Sequence, residues 1–211
     1  MLISKRNLKC HVASTETTRP TLQGIYITQD RTVSTDGHIL LQVPLPDDDP
    51  ADFPDIDGIN NVSTSPLTNK DLIPFMLPIE SCNKIVKQLP NSKHLSITSN
   101  AYLDIEKTNN NGSAVMGITD LESPIIIRCK KDDGPYPDYE AVIPDQKEVV
   151  YEINLLLPTL EKLITALRAG VPSKLERDST CLKLEFTGQQ TAIKITFGDI
   201  TGVLMPAMGE K

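Results

Sequence analysis

One pattern recurs three times along this chain and narrows the folds open to it: a short apolar strand, an amphipathic helix, then strands parted by polar turns. In the first segment Leu2-Ile3 leads to Ser4, a side chain suited to cap a helix. A helix of about ten residues should follow, with Leu8 and Val12 on one face. Residues 22–27, 32–35 and 39–43 then read as strands rich in β-branched and apolar side chains. Asp36-Gly37 between the last two is a strong hairpin signal. The second segment starts at Phe75-Met76-Leu77-Pro78. Ile79, Cys82, Ile85, Val86 and Leu89 give helical spacing over 79–89, with Pro90-Asn91 as the stop. Strands are expected at 95–98, 102–106, 114–118 and 125–129, with turns at Ser99-Asn100 and 109–112. The third opens on 149–153. A helix follows, lined by Leu156, Leu160, Leu163, Ile164 and Leu167 and capped by Gly170, and strands are expected at 182–186, 192–197 and 202–205. The fold class is α+β.

Composition removes several functions. The 39% apolar and 23% charged fractions are those of an ordinary globular chain. No run of eighteen apolar residues exists to span a membrane, and the polar start Ser4-Lys5-Arg6 lacks a signal-peptide core. Cys10, Cys82, Cys129 and Cys181 are scattered, with no metal-ligand spacing, so the reading is a reduced, cytoplasmic protein without a cofactor. His11, His38 and His94 belong to no hydrolase motif, and neither a P-loop nor HExxH is present. The net charge of −7 argues against a wholesale nucleic-acid coat, but the basic residues are placed unevenly. Lys5, Arg6 and Lys9, then Lys84 and Lys87, then Lys162 and Arg168 sit on the three expected helices. Acidic residues crowd instead into Asp47-Asp48-Asp49-Pro50-Ala51-Asp52-Phe53-Pro54-Asp55-Ile56-Asp57. That stretch reads as a solvated connector over about 45–72. A divalent-cation site, or a partner-docking segment using Phe53 and Ile56, is the other reading.

Two stretches far apart carry a more specific signal: Arg31-Thr32-Val33-Ser34-Thr35-Asp36-Gly37-His38-Ile39-Leu40 and Tyr136-Pro137-Asp138-Tyr139-Glu140-Ala141-Val142-Ile143-Pro144. Val203-Leu204-Met205-Pro206 follows near the end. Together and in this order they resemble the bacterial DNA polymerase III β subunit, the sliding clamp. The resemblance implies a DNA-clamp fold of β-α-β-β-β half-domains, antiparallel sheets outside and helices lining a hole. It implies a non-enzymatic processivity factor in DNA replication, whose basic helices hold double-stranded DNA without reading sequence. It further implies a groove for the glutamine-led, leucine- and phenylalanine-containing peptide motifs of polymerases and the clamp loader. Carried over, the groove residues are Leu22, Thr35, Gly37, His38, Leu40, Pro137, Val142, Val203, Met205 and Pro206. Apolar walls and an adaptable methionine suit such a ligand. Each also has a plainer reading: Asp36-Gly37 as a turn, His38 as structural, Pro137 and Pro144 as linker brackets, Val203 to Met205 as a core strand.

This chain departs from the family in two ways. Ile39 and Ala141 stand where members often carry arginine, which implies a weaker or differently selective groove. Residues 1–144 resemble one complete clamp domain, whereas 145–211 resemble only the second half of another. Pairing of two third segments about a two-fold axis would complete a shared domain, making the protein a homo-oligomer, a dimer or a tetramer. The rival is a non-ring adaptor or decoy that binds clamp-partner peptides without encircling DNA. A metal-dependent enzyme using the acidic stretch is a third reading.

Overall fold

Periodicity of apolar residues becomes helices and strands that bury one face each, and in this protein they do so in two units. The computed structural model describes residues 1–56, 72–90, 96–106, 113–132, 134–145, 147, 149–150, 152–170, 179–188 and 191–207. Compact units form over Met1–Glu140 and Ala141–Lys211. Among the expectations above, those resting on Asp57, Asn91, Leu95, 109–112 and Tyr151 fall outside the described residues.

Unit 1 runs β1 (Leu2–Ser4), α1 (Lys5–Lys9), β2 (Gly24–Ile27), β3 (Arg31–Thr35), β4 (Leu40–Pro44), β5 (Phe75–Pro78), α2 (Ile79–Gln88), β6 (Asn100–Glu106), β7 (Ser113–Thr119) and β8 (Pro124–Lys130). Its two antiparallel sheets have the orders β4-β3-β2-β5 and β1-β6-β7-β8. The strand before each helix therefore crosses over: Ile3 pairs with Ala101 of β6, and Leu77 pairs with Ile25 of β2. The exchange locks the two halves into one core. Ile3, Leu8, Ile25 and Ile27 from the first half lie with Leu77, Cys82, Ile85, Leu103 and Met116 from the second, all essentially without exposed surface. Helix α1 packs on α2.

Local chemistry explains the ends. Ser4 caps α1: its hydroxyl accepts from the Asn7 amide at 3.2 Å, and the Asn7 side chain reaches back to the Ser4 backbone. The helix is shorter than its pattern suggested. It stops at Lys9, and the chain then runs extended, Val12 N–H donating to Ser34 Oγ and Ser14 N–H to the Leu22 carbonyl. Bonds to β3 and to the turn before β2 replace further helical turns. Over the described part of the strand expected at 95–98, Ser96–Ser99 is instead a 3-10 turn, and β6 begins at Asn100.

Phe53 and Ile56 are buried with Leu2 and packed by Ile97, Tyr102 and Ile126 on the outer face of the β1-β6-β7-β8 sheet. They are anchors for the connector, which corrects the expectation of a docking segment; their apolar area gains more from this sheet face than from water. Nearby, Asp49 accepts from the Ala51 amide and Asp48 from Asn100 Nδ2 at 2.9 Å.

Unit 2 contains α3 (Leu157–Gly170), β9 (Leu182–Glu185), β10 (Ile193–Phe197) and β11 (Ile200–Leu204). The strands form one antiparallel sheet, β11-β10-β9. Leu167, Ile193, Ile195, Phe197 and Leu204 make its buried cluster. Gly170 is the last helical residue, and a Cβ there would come within 2.5 Å of Ile200 Cδ1, so it permits close helix–strand approach. The strand expected at 149–153 does not appear among the described residues there. No described helix is long and apolar enough to cross a membrane.

Candidate functional site

The 31–40 stretch is built as read. β3 and β4 pair from Arg31 opposite Pro44 to Thr35 opposite Leu40, leaving a four-residue loop at 36–39. Side chains close that loop. The Asp36 carboxylate accepts from the His38 and Ile39 amides, each at 2.8 Å, and Thr35 Oγ1 accepts from Gly37 N–H and donates to the Ile39 carbonyl. The Ile39 and then the His38 amide hold the Asp36 carboxyl below its ordinary range. Gly37 has φ +94°, a conformation side chains disfavour, so glycine is required by the turn itself. His38 and Ile39 are exposed at the tip, while Thr35 and Leu22 are buried and Leu40 is half-buried.

Two features join this hairpin that the motif reading missed. The Arg19–Leu22 turn lies beside it, with Arg19 Nη1 2.9 Å from where a Gly37 Cβ would stand. A cation therefore reaches the loop although Ile39 and Ala141 are uncharged. The second is an aromatic stack. Tyr136 lies flat on Tyr26 of β2, ring centroids 4.4 Å apart, and Tyr139 meets both edge-on at 6.4 Å. This stack fixes the segment carrying Pro137 against the β4-β3-β2-β5 sheet. Burial pushes the Tyr136 hydroxyl up to about 12, opposed by the neighbouring Thr35 backbone and assisted by Tyr139 and Tyr26. Burial, and then Glu140, also raise Tyr139. The sequence places Tyr26 in a strand, but its half-buried position and its pairing with Tyr136 come from the fold.

Leu22, Thr35, Gly37, His38, Leu40 and Pro137 thus belong to unit 1, and Val142, Val203, Met205 and Pro206 to unit 2. Val142, Val203 and Met205 are 68%, 64% and 66% exposed, available to a ligand rather than used in a core. Val203 stands opposite Lys194, on the charged outer face of its sheet.

On the helices, Arg6, Lys9, Lys84, Lys87, Lys162 and Arg168 are exposed, and Lys5 is half-buried with its ammonium 3.5 Å from the Leu89 carbonyl at the end of α2. Lys84 and Lys87 with Ile125 and Ile127 border a shallow hollow of about 420 Å³ beside β8.

Comparison with solved structures places this architecture. A Caulobacter crescentus pol III beta structure superposes with a TM-score of 0.62 at 16% identity, over 100% of this chain and 51% of that one. The fold is sliding-clamp-like. A second structure of the C. crescentus beta sliding clamp gives 0.59 at 16% identity, over 98% and 50%. The Pseudomonas aeruginosa DNA polymerase sliding clamp gives 0.51 at 15%, over 99% and 52%. This chain spans about half the length of the solved clamps it matches. No protein-family model and no curated protein sequence matches it.

Proposed function

We propose that this protein is a clamp-like tether for DNA enzymes, a cytoplasmic replication or processivity factor that binds and does not catalyse. The observation that carries the reading is a sliding-clamp-like fold along essentially the whole chain. The proposed peptide groove uses Leu22, Thr35, Gly37, His38, Leu40 and Pro137 from unit 1 with Val142, Val203, Met205 and Pro206 from unit 2. Its ligands are the glutamine-led, leucine- and phenylalanine-containing tails of polymerases and a clamp loader. Double-stranded DNA is the second partner, met by Lys5, Arg6, Lys9, Lys84, Lys87, Lys162 and Arg168. Lysine and arginine on exposed helix faces attract phosphates without reading bases, while an acid-rich remainder repels stray DNA.

Titration of a fluorescent peptide of that composition tests the groove. Binding in the micromolar range is expected, and Met205→Asp should weaken it at least tenfold by placing a carboxylate against an apolar ligand side chain. Because Met205 is 66% exposed, the substitution should leave the fold intact. Undiminished affinity of a folded Met205→Asp protein would remove the groove as drawn.

A further inference from the structure

Among the described residues, all but three of the exposed large hydrophobic side chains, Ile39, Ile73 and Leu121, lie in unit 2. Their exposure is directional. In the β9–β10 register Leu184 is opposite Ile195 and Leu182 opposite Phe197, so the four share one face of the sheet. Ile195 is fully buried and Phe197 is 7% exposed, yet Leu184 and Leu182 keep 44% and 39% of their surface. The other face of the same strands carries Lys183, Glu185 and Lys194, linked by ion pairs. The core face therefore runs out before it reaches β9. Leu182, Leu184 and Phe186 together with Leu155, Leu160 and Leu163 line an open apolar cavity of about 360 Å³. Apolar patches of this kind mark interaction surfaces.

Unit 1 contains a solution to the same packing problem. There the strand preceding each helix crosses to the first strand following the other helix, β1 onto β6 and β5 onto β2, both antiparallel, and α1 meets α2. Unit 2 has the matching parts without the crossing. β9, the first strand following α3, has one edge unpaired among the described residues, and the apolar segment before α3 joins no sheet. That segment exposes Val149 by 43% and Val150 by 77%. In unit 1 the strand before a helix pairs along its length with the other half, and β5 touches its own half at the Met76–Asp132 bridge just beyond β8. In unit 2 the Asn154 carbonyl likewise accepts from Ala207 N–H just beyond β11, so the remaining edge of that segment and the β9 edge are complementary only between two halves.

The geometry points to a second copy of this chain as the occupant. The two copies of unit 2 pair about a two-fold axis, the segment near 149–155 of each adding antiparallel to β9 of the other. Both α3 helices then close over the cavity, Leu157 and Ile164 facing the partner. One patch supplies both donor strand and acceptor edge, which is the requirement for a self-complementary interface. The inference deepens the tether proposal by naming the partner of unit 2. It draws on the helix side of the unit 2 sheet, whereas Val203 lies on the opposite face.

The test uses the full chain: light scattering on a sizing column over a concentration series, with hydrogen exchange on the same samples. A dimer, or a larger even assembly, is expected, with amides at 149–153 and Leu182–Glu185 protected and losing protection on dilution. Leu184→Glu should raise the dissociation constant at least tenfold, and because Leu184 is half-open in the single copy its circular dichroism should not change. Val150→Pro, which blocks strand addition without touching the cavity, should do the same. A monomer at all concentrations, an assembly that survives both substitutions, or one with unprotected β9 amides would overturn the inference. A monomer that still binds the peptide refutes this pairing alone, and a dimer that does not bind it refutes the groove alone.

Discussion

Asn7 is fully buried, and its side chain is shared among three parts of unit 1. Its Nδ2 donates to Thr32 Oγ1 at 3.3 Å and to the carbonyls of Val43 and Pro44 at 3.1 and 2.9 Å, while its Oδ1 accepts from the Ser4 backbone. The one amide thus closes the N-cap of α1 and satisfies carbonyls at the end of β4. Alanine at this position removes one donor from each of those carbonyls and the side-chain acceptor from the Ser4 N–H, with Thr32 Oγ1 still 3.4 Å from the Val43 carbonyl. Asn7→Ala should cost about 1–3 kcal/mol, for the lost hydrogen bonds of one buried amide, read as a lower urea midpoint at unchanged slope. Nothing in the sequence distinguished Asn7 from a solvated helix residue, because its partners come from β3 and β4.

Strands in unit 1 are held by their neighbours' shapes as well as by hydrogen bonds. Gly24 begins β2 opposite Pro78 of β5, and a Cβ on it would stand 2.4 Å from Met76 Cγ and 2.7 Å from the Leu77 carbonyl oxygen. The methionine can move, but the carbonyl belongs to the paired backbone of the crossing strand. Alanine would lower the entropy of the unfolded chain, a gain of about 0.5–1 kcal/mol. Overpacking against fixed backbone, of about 1–3 kcal/mol, should outweigh it. Gly24→Ala is therefore expected to destabilise unit 1, with hydrogen exchange rising first at β5 and β2. The opposite sign would mean that β5 is free to shift outward.

The whole molecule combines a net charge of −7 with cations on each of the three described helices. Such a protein should bind random-sequence duplex DNA with an affinity that falls steeply with salt, and equally for unrelated sequences. Each phosphate contact contributes about 0.9 to the slope of log K against log salt. Replacing Lys84 and Lys87 together by alanine should make that slope shallower by about 2, measured by anisotropy across a salt series. An unchanged slope would place α2 away from the DNA.

Local pattern by itself determined the β5–α2 junction at Pro78, the third helix, the β9 to β11 strands and the Asp36-Gly37 hairpin. Each depends on side-chain periodicity or turn chemistry within a few residues. Tertiary structure alone decided the crossing of β1 and β5, the early end of α1, the 3-10 turn at Ser96–Ser99 and the burial of Phe53 and Ile56. Those outcomes rest on pairing between distant segments, where backbone groups and apolar area find better partners than local propensity offers. The proposed groove divides the same way. Its hairpin was legible, but the position of Pro137 follows from Tyr136 stacking on Tyr26, a contact set by the sheet and not by neighbouring residues.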